Sequence, residues 1–290
     1  MNPSSSPLVS ICIPVHNCAA YIGAAIESVR AQTLSDWELI ILDNASSDDT
    51  LDVIRSYPDA RIRVIGNERN IGIEANWNRA LREAKGRYIK LLPADDYLLP
   101  ECLERQARVF DQPGNESVIL TCCGRSIVGS SGNRLITRRY PGKEALIDGH
   151  GAIRRVVRSG TNLLGEPGAI LFRRDILDRT GRFDGSLTYV IDVDLWLRML
   201  LCGDLYNIPE ALCAFRLSSG SYSVELAALH SNHFSALIRR LSADERYQVN
   251  RLDGYLGSFM SRILAWVRRL FYIATVRHPS GEREWQKRRE

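Results

Sequence analysis

Over its first 120 residues the chain alternates short apolar or β-branched runs with stretches of helical period. That alternation restricts the fold more than any other feature. Residues 8–14, 37–42, 62–65 and 87–92 read as strands. Residues 20–32 and 72–84 read as helices, and Ser46-Ser47-Asp48-Asp49 supplies N-cap residues for another running through Ser56. Parallel neighbours must be joined by a crossover about a dozen residues long, usually a helix. The predicted fold is therefore α/β, a mostly parallel twisted sheet flanked by helices.

In such a sheet ligands bind beyond the carboxyl ends of the strands, where loops and helix N-termini converge. Three polar clusters end strands here: His16-Asn17, Asp43-Asn44 and Asp95-Asp96. One cleft can collect all three. Further along, residues 118–139 show short strands with glycine-rich breaks, which predicts an antiparallel extension. Residues 143–162 carry no assignable pattern. Glu166-Pro167-Gly168 precedes an apolar run at 169–172, and Phe183-Asp184 opens a loop into a helix expected over 192–202.

Composition excludes more than it selects. With 45% apolar and 25% charged residues, the 290-residue chain is neither disordered nor fibrous. The formal net charge of +4 is small for this length, and no nucleic-acid partner is expected. Seven cysteines form an odd set with no CxxC pair and no His/Cys ligand spacing, which argues against a disulfide framework and a zinc site. Residues 1–7 lack a signal-peptide pattern and no uncharged apolar stretch reaches bilayer length, so a cytoplasmic protein is expected, with membrane contact at most peripheral, at the inner face of the cell membrane.

Asp95 and Asp96 deliver two carboxylates on a turn after an apolar strand. Mg²⁺ or Mn²⁺ prefers such oxygen ligands together with substrate phosphates, although an Asp pair also caps helices. Asp192 and Asp194 begin a helix, where a carboxylate beside a cleft can take a proton from an attacking hydroxyl or simply cap the helix. Asn17, Asp43, Asn44 and Asn70 suit a base or ribose, or else make turns, and Gly72 permits a close approach or a positive φ.

Three co-ordered strings narrow these alternatives: VSICIPVHNCAAYIGAAIESVRAQTLSDWELIILDNASSDDT, ERNIGIEANWNRALREAKGRYIKLLPADDYLLP and GRFDGSLTYVIDVDLWLRML. Together they resemble the family 2 inverting glycosyltransferases of the GT-A fold, over most of residues 8–217. The resemblance implies that Pro14, Val15, His16, Asn17, Asp43 and Asn44 hold a nucleotide-diphosphate sugar, with Asn70, Gly72, Ala94 and Asp95 beside them. It implies a divalent cation, Mn²⁺ or Mg²⁺, on Asp95 with Asp96, and Asp192 as general base. The acceptor it implies is a glycan or lipid-linked molecule in cell-surface polysaccharide assembly. Three positions depart from the family pattern: Pro93 opens the DxD-type motif, Ile191 precedes the base, and Ser218 stands where a histidine is common. They leave open a degenerate nucleotide-sugar-binding or scaffold protein as the alternative.

Residues 1–222 are expected to form the catalytic domain and 223–290 a C-terminal helical extension. Within the extension, 255–276 contains Arg262, Arg268 and Arg269, no acidic residue, and an apolar face that includes Leu256, Phe259, Ile263 and Leu270. That face is expected to pack on the catalytic body, to pair with a second copy, or to lie on an anionic membrane. The charged tail, 281–290, is expected to fray.

Overall fold

A computed structural model describes residues 6–218 and 229–276. The first half runs β1 (Val9–Val15), α1 (Ala19–Arg30), β2 (Trp37–Asp43), α2 (Thr50–Arg55), β3 (Ile62–Gly66), α3 (Ile73–Glu83) and β4 (Tyr88–Leu91). The second adds β5 (Tyr97–Leu98), α4 (Cys102–Val109), β6 (Val118–Val128), β7 (Arg134–Arg138), β8 (Ala145–Ile147) and α5 (Gly149–Ser159). It continues through β9 (Ile170–Arg173), α6 (Leu177–Thr180), α7 (Ile191–Leu200) and β10 (Asp204–Arg216), and ends with α8 (His230–Ala243) and α9 (Arg251–Val276).

One sheet carries the strands in the order β3-β2-β1-β4-β9-β6-β10-β5, with β7 beside β6 and β8 beside β10. The pairs β3-β2, β2-β1 and β1-β4 are parallel, β9 is antiparallel to both neighbours, and β6-β10 is parallel again. The carboxyl ends of β1, β2, β4, β6 and β10 therefore share one edge. Every residue of β1 is buried, as a central strand covered by helices on both faces requires. On one side α1 lays Ile22, Ala25, Ile26 and Val29 against it, a single helical stripe.

The Ser46–Asp49 run leads at once into α2, with Asp49 at the N-cap position and Ser56 at the C-cap. The Ser46 amide bonds the Asp43 carboxylate, the Ser47 amide bonds Asn17 Oδ1 at 2.8 Å, and Asp48 Oδ1 accepts the Thr50 amide at 3.1 Å, so this polar run ties loops together as well as opening the helix. Over 118–139 the expected antiparallel extension is present as β6 paired with β7, but β6 is one long strand and its other partner β10 was not anticipated. Near Pro209 the register shifts between Ile208 and Ala211. Gly124 lies opposite, where a Cβ would sit 2.7 Å from the Pro209 carbonyl oxygen. A bulge passing that close to β6 requires glycine there.

The unassigned stretch 143–162 holds β8 and α5. Asp148 caps α5 by accepting the Gly151 amide at 2.7 Å, and Gly160 ends it in the left-handed region. All seven cysteines are free.

The boundary expected at 222/223 and the tail lie outside the described residues. Phe234, Leu237, Ile238 and Leu241 of α8 join Trp196 and Leu197 of α7 in one apolar core. Helix α9 packs the opposite way to a simple amphipathic helix. Its inner face is small and polar: Asp253 and Ser261 are fully buried, and Asp253 pairs with Arg154 at 3.1 Å and with Arg158. The apolar face points outward, Phe259 and Trp266 being 57% and 65% exposed. Close approach to α5 decides this orientation, for a Cβ on Gly257 would lie 2.1 Å from the Val157 carbonyl oxygen. Gly257→Val is expected to prise the helices apart and cost about 3 kcal/mol, read as a lower Tm in thermal denaturation.

Candidate functional site

The strand-end residues fall into two groups. At the ends of β1 and β2, Asn44 donates its backbone N–H to the Val15 carbonyl at 2.8 Å. Asn17, exposed and at φ 49°, accepts the Ser47 amide on its side chain and donates its own amide to Ser46 Oγ. Asparagine tolerates this left-handed backbone. Asp43 is almost fully buried, its carboxylate turned to the Ser46 amide. Asn44 is buried as well. Its Nδ2 donates to Asn70 Oδ1 at 2.8 Å, and its Oδ1 accepts from Asn67 Nδ2 and the Ile71 amide. The Gly72 amide donates to the same Asn70 Oδ1, so Asn44, Asn70 and Gly72 form one hydrogen-bonded knot. Pro14, Val15 and Ala94 are backbone and packing positions, and His16 is exposed.

The turn after β4 separates the acidic pair. Asp96 is buried, one oxygen accepting the Arg216 amide at 2.8 Å, and burial together with Asp95 pushes its carboxyl well above the usual range. Asp95 stays half-buried on the open side. Arg216 holds the turn from the end of β10, donating Nε–H to the Asp95 carbonyl at 2.9 Å with its guanidinium over the rings of Tyr21 and Tyr97. The Cys18 thiol is raised to about 12 by burial and then by Asp95, an electrostatic link between the end of β1 and this turn.

Asp95 and Asp192 line the same cavity, of about 400 Å³, with Asn162, Glu166, Tyr189 and Arg268. The group at the ends of β1 and β2 lies outside this lining. Asp192 opens α7 with Oδ1 accepting the Val193 amide at 2.8 Å and Oδ2 accepting Asn162 Nδ2 at 3.0 Å. Burial raises its carboxyl to about 7. Asp194, two residues on, points elsewhere and is paired with Arg198 and Arg240, so it serves the fold.

Three residues of this site escaped sequence reasoning. Asn162 is braced by Gly165, which donates its amide to Asn162 Oδ1 at 2.9 Å and accepts from Nδ2 at 2.9 Å. Arg125, 1% exposed, donates Nε–H to Glu166 at 2.5 Å and Nη2–H to the Asn162 carbonyl at 3.3 Å. Their only sequence signals were an arginine inside an apolar strand and a Glu-Pro-Gly turn. Glu166→Gln leaves the Arg125 cation buried without its counter-ion and is expected to destabilise the fold by about 3 kcal/mol. Urea unfolding checks this, and Arg125→Met added to Glu166→Gln is expected to recover part of the loss.

From the C-terminal side, Arg268 donates to Tyr189 Oη, to Thr161 Oγ1 at 3.2 Å and to His230 Nδ1 at 3.1 Å. Burial, and then Arg268, hold His230 down to about 3, so its ring is neutral. Among the described residues, no three His, Cys, Asp or Glu side chains gather into a metal cluster.

Polar turns beyond the carboxyl ends of parallel strands are where open α/β sheets bind ligands, and solved GT-A proteins share this fold. Staphylococcus aureus TarS 1–349, solved with UDP-GlcNAc, matches at TM-score 0.67 and 16% identity over 93% of this chain and 73% of that one. The mannosyltransferase PcManGT of Pyrobaculum calidifontis, solved with GDP-Man and Mn²⁺, matches at TM-score 0.63 and 16% identity over 98% of this chain and 80% of that one. The family model for glycosyl transferase family 2 matches residues 10–181, and the chain belongs to that family. An Escherichia coli protein named UDP-Glc:α-D-GlcNAc-diphosphoundecaprenol β-1,3-glucosyltransferase is 31% identical over 235 residues, 80% of this chain and 84% of its own.

Proposed function

We propose that this glycosyltransferase moves a sugar from a nucleotide-diphosphate donor to an acceptor hydroxyl with inversion, in the cytosolic assembly of a cell-surface glycan. The observation that carries the reading is the shared cavity: Asp95 and Asp192 line one space. In the reaction the acceptor oxygen forms a bond to the anomeric carbon while the bond from that carbon to the diphosphate breaks. Asp192 takes the acceptor proton, and its raised carboxyl suits a base working near neutral pH.

Asn162 holds the Asp192 carboxylate by donating Nδ2–H to its Oδ2. Asn17 and Asp43 bind the nucleoside end of the donor, while Asn44, Asn70 and Gly72 shape the loop beneath it. Asp95, Glu166 and Asp192 supply carboxylates to the cavity lining and His230 a ring nitrogen, but Glu166 is paired with Arg125 and His230 with Arg268. Such a set fits Mn²⁺ or Mg²⁺ held largely by donor phosphates, with Asp95 as the protein ligand and Asp96 as its buried support. When bound, the cation offsets charge on the departing diphosphate. The donors seen in the structural neighbours, UDP-GlcNAc and GDP-Man, and the lipid-diphosphate sugar in the relative's name set the first candidates.

The test is to incubate the purified chain with UDP-Glc, UDP-GlcNAc and GDP-Man in Mn²⁺ and follow free nucleoside diphosphate, with and without a lipid-diphosphate sugar acceptor. Acceptor-dependent release supports transfer. Stabilisation by nucleotide without release from any donor would instead mark a degenerate binder.

A further inference from the structure

We infer that the outward face of α9 docks on an anionic lipid surface. Among the described residues, eight of the thirteen exposed large apolar side chains belong to this one helix. Leu252, Leu256, Phe259, Ile263, Trp266 and Leu270 recur at alternating steps of four and three, which at 100° per residue makes a single stripe. Tyr255, 78% exposed, lies at its margin. A solvated stripe of this length, with aromatic residues spread along it, calls for an apolar occupant.

The helix is held rigidly by its other side, so the stripe cannot roll inward. Asp253 is locked between Arg154 and Arg158, Gly257 abuts the Val157 carbonyl, and Arg268 reaches Tyr189, His230 and Thr161. Among the described residues no helix is long and apolar enough to cross a membrane, so insertion is confined to the interface.

Charge selects the occupant. Residues 255–276 contain three arginines and no acidic residue, and 277–290 add five Lys or Arg against three Glu. Arg251 and Arg262 are exposed and fall along one margin of the stripe, where lipid headgroups would meet them. A second copy of the helix is the competing occupant, because steps of three and four also make a coiled-coil seam. Pairing two such helices sets arginines beside the seam, while the one acidic residue of the helix, Asp253, is buried against Arg154 and Arg158 and cannot partner them. An anionic surface supplies the complement that a second copy lacks. Leu264, Val267 and Arg268 of the same helix line the cavity of Asp192, so docking brings that cavity to the lipid surface.

The full-length chain is to be sedimented with vesicles of phosphatidylcholine and of phosphatidylcholine mixed with phosphatidylglycerol. Binding is expected to be about tenfold or more stronger to the anionic vesicles and to weaken as salt rises. Arg262→Glu is expected to lower it about fivefold or more, and Phe259→Glu with Trp266→Glu to reduce it to background. Both aromatic positions are exposed, so an unchanged Tm verifies that these variants fold. Failure to bind either vesicle overturns the inference, as does binding that Phe259→Glu with Trp266→Glu leaves intact. A dimer by light scattering that Trp266→Glu splits, without vesicle binding, would assign the stripe to a second copy. Vesicle binding is read without turnover, so it stands or falls separately from the transferase reaction.

Discussion

Asp192→Asn is expected to lower sugar transfer by about 10²- to 10⁴-fold, the usual contribution of a positioned general base. The amide has nearly the same shape and its Oδ1 can still accept the Val193 amide, so the start of α7 keeps its geometry. Its nitrogen cannot take a proton from the acceptor. Stabilisation of the protein by donor nucleotide should therefore change by less than about twofold, since the lost interaction belongs to the transition state. A variant that transfers sugar at the native rate would remove Asp192 as base.

The same residue sets the expected pH profile. Burial disfavours the ionised form, Glu166 adds repulsion, and Arg125 opposes both, with the result that the carboxyl titrates at about 7. Below that pH Asp192 holds its proton and cannot act. The native rate should rise with pH through about 7 and level off above it, and the Asn variant's residual rate should lack that rise.

The legible and illegible parts of this chain divide along a physical line. Strands β1, β2 and β4 are short, buried and followed at once by polar residues, so local pattern located Asn17, Asp43 and Asp95 at one sheet edge. The proposed base, Asp192, needed the Val-Ile-Asp-Val-Asp-Leu-Trp string and its family resemblance, because residue type alone does not separate Asp192 from Asp194. Only the fold shows Asp194 spent on two arginines. Arg125 and Glu166 meet across distant chain segments, a contact no local periodicity encodes. Strand β10 was hidden by Pro209, whose bulge is tolerated because Gly124 faces it. Helix α5 was the avoidable omission: Asp148, the apolar set Ala152, Ile153, Val156 and Val157, and Gly160 spell a capped amphipathic helix. In α9, periodicity identified the apolar face correctly but not its direction, since backbone contact at Gly257 decided which side went in.

Asp95→Ala is expected to raise the Kd for nucleoside diphosphate in Mn²⁺ by about thirtyfold or more, the usual consequence of truncating one partner of a charge contact. Without Mn²⁺ the variant and the native chain should bind alike, because the nucleoside contacts proposed for Asn17 and Asp43 remain. Asp96→Asn makes the contrast informative. Asp96 sits beneath the turn with one oxygen on the Arg216 amide, and an asparagine carbonyl can accept the same bond. Its raised carboxyl already favours the uncharged form, so the substitution changes little charge at the cavity. Titrating Mn²⁺ against fixed nucleotide in all three proteins should therefore show metal-dependent affinity lost in Asp95→Ala and largely kept in Asp96→Asn. Equal loss in both would make the pair a joint ligand and require the turn to rearrange when the donor binds. Unchanged affinity in Asp95→Ala would refute its assignment, and with it the placement of the diphosphate beside Asp192.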